Sequence, residues 1–296
     1  ALLSQTGTSG TVSNTAVGYY AGASITTGVS NTAIGAQALD ASTTGNYNTA
    51  VGQYALSALS GSHQYNTAVG YQAGYGIIRG GGNVSIGYKA GENSSAGEQN
   101  YNVHIGYTVA EYVFGSGQVY IGYESGKYAS GSYNTYMGYQ AGMGATTATT
   151  TGTENVGIGN SALKSLTSGT KNTAVGAQAG DALTTGGYNV LLGYQAGTDL
   201  LSGGNNQAIG FGALANATDA NQNIAIGKNT MENNITSDDN VVIGFAAGQN
   251  IGRDGTDTDS GYRTVAIGSY AGADGGSLNV FMGYYAGKGP SSAPYY

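Results

Sequence analysis

The chain has 296 residues, 54 of them glycine, with 8 % charged residues, a net charge of −7 and no cysteine. So dilute and acidic a charge set offers neither the basic stripe that nucleic acid needs nor a polybasic membrane patch, and the lack of cysteine rules out disulfides and thiolate metal sites. No apolar run reaches the ~20 residues of a membrane helix, and no charged-then-apolar leader precedes Ala1, the start expected of a mature or trimmed product.

Residues 1–13 are polar apart from Leu2 and Leu3 and read as a lead-in. From Asn14 to Gly287 a nine-residue phrase returns sixteen times, clearest as Asn66-Thr67-Ala68-Val69-Gly70-Tyr71-Gln72-Ala73-Gly74. Its central glycines lie 15 to 24 residues apart, and eight of the fifteen intervals are 17. A short fixed period means one supersecondary unit stacked on copies of itself. The reading is therefore one array over 14–287, all-β, a parallel β-solenoid or β-roll of about sixteen short coils. Spacers such as 40–45 carry turn residues and no helix formers.

Between Tyr75 and Gly142 the phrase loosens, and Ser85, His104, Tyr120 and Tyr136 replace its first alanine. A Thr-rich insertion follows at 146–151, and a longer one at 249–262 holds Asp254, Asp257 and Asp259. Such insertions map to loops on one face, often the face that meets partners. Residues 288–296 form a tail holding both prolines, so no expected strand contains proline, as an intact backbone ladder requires.

Side chains alternate along a strand, which divides the phrase into faces. The residue before the central glycine is always aliphatic, from Val17 and Ile34 to Ile267 and Met282, and with the Thr/Val column two places earlier it is expected to form the core. The alanine between them then lies on the opposite side, against a neighbouring sheet or chain. The glycine permits a turn or a positive φ, and the second alanine, as in Ala73, opens a second short strand. Two aliphatic anchors per coil are few against the entropy of ordering a whole coil. Side-by-side association of identical chains through the alanine column is the expected remedy.

The phrase N-T-A-V-G-Y-Q-A and the longer form A-L-x-x-x-T-T-G-x-x-N-T-A-V-G resemble the repeats of bacteriophage tail-fibre proteins, and the phrase is similar to the N-S-V-A-I-G repeat of trimeric autotransporter adhesin heads. The likeness covers about Asn14 to Gly287. The adhesin-head resemblance implies a left-handed parallel β-roll with three chains side by side, a homotrimer. The repeats depart from that pattern in their longer period, and no heptad stalk, membrane anchor or C-terminal chaperone domain is expected to follow them.

Two tyrosine series run along the array. One follows the central glycine and includes Tyr71, Tyr88, Tyr107, Tyr123 and Tyr139; the other precedes the phrase, as at Tyr47, Tyr65, Tyr101, Tyr133 and Tyr188. Stacked at coil spacing, either makes an aromatic ladder. The first is a candidate surface-recognition stripe for a cell-surface glycan or receptor, because aromatic faces with polar tips suit that use. The alternative is that these rings close coil ends or fill chain contacts. Catalysis finds little support: His104 stands in the small-residue column, His63 lies in a spacer, and the carboxylates are scattered rather than paired as in a glycosidase. Asp254-x-x-Asp257-x-Asp259-x-Gly261 offers the hard oxygen ligands of a calcium site but lacks the full spacing and distal glutamate of an EF-hand. No other cofactor is indicated. The acceptor-like triplets at Asn83, Asn93, Asn216 and Asn234 are expected by chance in so polar a chain.

The function expected from these features is non-enzymatic: an extracellular or virion-surface fibre, either the shaft or head of a tail fibre or adhesin, or a filament growing head to tail. Its partner would be itself, with no nucleic acid and no membrane insertion. Ice binding is the alternative, because regular β-solenoids can present flat threonine ladders. Against it, the threonine column switches to valine at positions such as Val84 and Val190, as a buried site tolerates. A carbohydrate-processing fibre is a third option.

Overall fold

A computed structural model describes residues 2–6, 12–92, 99–145, 150–251, 262–273 and 277–287. They fall in two compact units that divide after Glu154. The first carries eight three-residue strands, from β1 (Thr15–Val17) to β8 (Thr135–Met137); the second carries eight more, from β9 (Val156–Ile158) to β16 (Val280–Met282). Within each unit every strand pairs in parallel with the next, and the register always joins equivalent residues, as in Ala50 with Ala68 and Ala208 with Ala225. Coils of 16 to 19 residues keep that register, so the extra residues are taken up outside the strands. No helix occurs among the described residues. The chain is thus an all-β parallel solenoid.

Each coil has one strand, not two. After the central glycine the chain enters turns, and the second alanine lies inside them rather than opening another strand. The corners are made by residues with positive φ, four or five per coil, many of them not glycine: Tyr47, Tyr54 and Leu56 stand at 58°, 61° and 50°. A left-handed corner costs a residue with a Cβ roughly 1–2 kcal/mol, so the stack of hydrogen bonds from coil to coil must hold it there. That stack continues through the turns, where the amide of Gln72 donates to the Gln53 carbonyl at 2.9 Å and that of Gln178 to Asn160 at 2.8 Å.

The in-and-out assignment of the strand is the reverse of the sequence expectation. Ala33, Ala50, Ala68, Ala174, Ala208, Ala225 and Ala266 are fully buried, whereas Ile34, Val69, Ile86, Ile158, Val175 and Ile267 are each 37–39 % exposed. The alternation holds, but the side is set by volume and not by hydrophobicity. The loop encloses a narrow interior that admits one small strand side chain, the second alanine and one or two leucines, such as Leu56 and Leu59 or Leu163 and Leu166. The alanine column is sealed inside its own coil and cannot meet a second chain, as was expected of it. The Thr/Val and Val/Ile columns instead lie side by side on the outer face, where β-branched side chains stack coil over coil.

Exceptions in the interior column are matched by losses elsewhere in the coil. Tyr120 and Tyr136 are buried where alanine stands elsewhere. A Cβ on Gly126 would lie 2.3 Å from the Tyr120 ring, and one on Gly142 would lie 2.3 Å from Tyr136. The place that Leu59 fills three residues after its corner is held by Ala129 in the Tyr120 coil, whose carbonyl accepts the Tyr120 hydroxyl at 3.0 Å. The larger ring in the interior column is thus matched by smaller residues beside it.

Candidate functional site

Three features of the coil bear on function: a buried polar ladder, an outer sheet face and an aromatic ladder.

The first is the asparagine that opens each phrase. Asn189 is fully buried; its backbone and side-chain amides both donate to the Asn172 Oδ1 at 3.0 Å, and its Nδ2 also donates to the Gly203 carbonyl at 2.9 Å. Its own Oδ1 accepts the same pair of bonds from Asn206. The pattern repeats through Asn31, Asn48 and Asn66 in the first unit and through Asn223 and Asn240 in the second. The buried amides of this ladder are thereby satisfied, as burial demands. Sequence alone assigns this residue no role; its signal is the recurrence of one polar residue at a fixed place in the phrase. Asn83 and Asn234 are also buried and hydrogen-bonded, so neither triplet offers a free acceptor amide. Asn216 is exposed and donates to Asn233 at 2.9 Å, and Asn93 lies outside the described residues.

The outer face presents two columns two residues apart, Thr67 and Val69, Val84 and Ile86, Thr173 and Val175, Ile224 and Ile226, renewed at every coil. No charge interrupts these strands.

The third feature gathers all five candidate tyrosines. Tyr71, Tyr88, Tyr107, Tyr123 and Tyr139 stack in one ladder with ring centroids 5.5, 5.0, 5.3 and 5.1 Å apart and interplanar angles of 1–16°. The rings are 39–49 % exposed. Each inner ring has its faces turned to its neighbours, so it offers water its edge and hydroxyl rather than a face on which a sugar could stack. Tyr54 meets Tyr71 edge-on at 6.3 Å. Of the other series, Tyr47 and Tyr65 stack at 5.3 Å, and Tyr101 and Tyr133 lie over Gly82 and Gly117, whose added Cβ atoms would reach the rings at 2.8 and 2.7 Å.

Beside the ladder, Lys127 bridges Glu124 at 2.8 Å and Glu111 at 3.2 Å, and Lys89 pairs with Glu92 at 2.9 Å. Burial works against the Lys127 charge, but hydrogen bonds to Glu124 and Glu111 overrule it and hold the ammonium above the ordinary lysine range. The neighbouring Glu124 carboxylate raises the Tyr123 phenol.

His104 is buried in the interior column, stacked on Tyr120 at 5.5 Å. Its Nε2 lies 3.3 Å from the Gln118 Oε1. The Gln118 amide spends its donors on the carbonyls of Phe114 and Gly131, so Oε1 accepts and Nε2 carries the proton of a neutral ring. Burial pushes the imidazole pKa down to about 4, against a smaller upward pull from Gln118.

No protein-family model, curated protein or solved structure matches this chain. Asp254, Asp257 and Asp259 lie outside the described residues. Among the described residues no three His, Cys, Asp or Glu side chains gather as a metal site, and no helix is long and apolar enough to cross a membrane.

Proposed function

We propose that this chain is a structural, non-enzymatic component of an extracellular or virion-surface fibre, a shaft or head of the tail-fibre or adhesin kind, whose copies associate side by side through the outer sheet face. One observation carries the reading: the β-branched columns that a globular protein would bury stand a third exposed at coil after coil. At ~4.8 Å per coil and ~10 Å for three residues of strand, the eight coils of each unit supply a strip of roughly 400 Å², about half of one side of a standard stable interface. Such a strip is self-complementary along its length, which suits a closed oligomer of identical chains.

The test is the mass of the native protein by sedimentation or native mass spectrometry. A fixed small oligomer is expected; a monomer at all concentrations into the micromolar range would exclude side-by-side association.

A second reading, ice binding, gains from the same face. The sequence objection, that valine replaces threonine as at a buried site, loses its ground because the column is outward. The face is regular in register and its strands are uncharged. Thermal hysteresis in a dilute solution of the protein would support this reading, and its absence would leave the fibre reading alone. Digestion of polysaccharide has no counterpart in the described geometry, since the clustered carboxylates Glu111 and Glu124 are tied to Lys127.

A further inference from the structure

Three of the tyrosine environments are informative: stacked and exposed, as in the ladder from Tyr71 to Tyr139; stacked and buried, as in Tyr120 and Tyr136 at 5.1 Å; and exposed outside any ring pair, as in Tyr101 and Tyr133. The first combination places phenols of successive coils in register, nearly parallel, within 5.5 Å, on residues 39–49 % exposed. The chain has neither cysteine nor tryptophan, so tyrosine is its principal target for one-electron oxidation, and no disulfide can join coil to coil. We infer that the Tyr71–Tyr139 ladder is an oxidative cross-linking site at which neighbouring coils are joined by dityrosine.

The chemistry needs a one-electron oxidant from solution, acting twice. Each of two neighbouring phenols gives one electron to the oxidant and its hydroxyl proton to water, leaving two phenoxyl radicals. A carbon ortho to the oxygen on one ring bonds to the ortho carbon on the other. The two ring hydrogens then move to the oxygens and restore both phenols, so the product has lost two hydrogens overall. Stacking supplies the proximity that free tyrosines lack, and a modest tilt of either exposed ring brings ortho carbons together. The buried pair Tyr120 and Tyr136 is equally close but shut away from an oxidant in solution. A link between coils would restrict the unfolded chain as a disulfide does. The inference is independent of side-by-side association, because every bond it names lies within one chain.

The experiment oxidises the full chain, at high dilution, with photogenerated tris(bipyridyl)ruthenium(III) regenerated by persulfate, and maps dityrosine in the single-chain fraction by peptide mass spectrometry. Links between successive ladder tyrosines are expected at about tenfold the yield per residue of any link at Tyr101 or Tyr133, with none joining Tyr120 to Tyr136. In Tyr107→Phe, which keeps the ring, the links to Tyr88 and Tyr123 from that position should vanish while Tyr71–Tyr88 and Tyr123–Tyr139 persist. Equal yields at Tyr101 and Tyr133, ladder oxidation without intrachain dityrosine, or an unchanged link map in Tyr107→Phe would each overturn the inference.

Discussion

Ala225 and Ile226 are neighbours in one strand and face opposite worlds. Ala225 is fully enclosed, while Ile226 is partly open on the outer face. An aspartate at position 225 would place an unpaired charge in the interior, which no neighbouring cation could neutralise; Ala225→Asp is expected to abolish the β signal in circular dichroism. Ile226→Asp is expected to leave that signal intact and to dissociate oligomers in sedimentation. If both variants unfold, the outward assignment of the Val/Ile column is wrong. The asparagine ladder yields a second expectation. Asn189→Ala removes the acceptor of two Asn206 donors and strands the Gly203 carbonyl, at an expected cost of about 3 kcal/mol in urea unfolding. His104 gives a third. Its folded-state pKa of about 4 lies below the ordinary 6.5, so the folded protein binds fewer protons than the unfolded chain between those values. Its contribution is complete above pH 6.5 and is lost as pH falls towards 4, about 3 kcal/mol in total at ~1.4 kcal/mol per pH unit. The ring stacked on it, Tyr120, has its phenol held well above the ordinary range by burial and stays neutral throughout. His104→Gln should flatten this part of the stability curve measured by urea unfolding at several pH values.

At the scale of the coil, the central glycine is required for two separate reasons. Gly193 has φ at +137°, and a Cβ there would meet the carbonyl oxygen of Gly210 in the next coil at 2.5 Å. Gly283 has φ at +123° but nothing within 4 Å, because it lies in the last described coil. Gly193→Ala should therefore cost backbone strain plus a clash that separates two coils, roughly 3 kcal/mol or more, whereas Gly283→Ala should cost only the strain, about 1–2 kcal/mol. Equal losses in thermal unfolding would show that stacking distance is not what the glycine protects. The period, the strand and the glycine corner were all legible in the sequence, since each recurs in the phrase. What hydrophobicity could not decide was the side: Ala68 and Val69 alternate correctly, but the narrow bore that puts the smaller one inside is a property of the closed coil. The corners held by Leu56 and Tyr65 at positive φ were hidden for a related reason, because only the hydrogen bonds of adjacent coils hold such residues there.

Over the whole chain, stability should build up as a sum of coils and their nearest-neighbour contacts. The resemblance to fibre repeats pointed to a solenoid, and the strand order within each unit agrees with it. The candidate tyrosines were legible as a ladder from spacing alone; that their faces occlude one another was not, since ring orientation depends on coil twist and neighbouring side chains. The position-by-position register has a further consequence. Backbone partners are mostly about 17 residues apart, as in Gln37 with Tyr19 or Thr184 with Leu201, and a separation so small beside 296 residues gives a relative contact order of roughly 0.06. Each new coil needs only the one before it as a template. Within each unit the chain can therefore fold one coil after another as it is made, closing one loop of nearly constant entropy cost at a time.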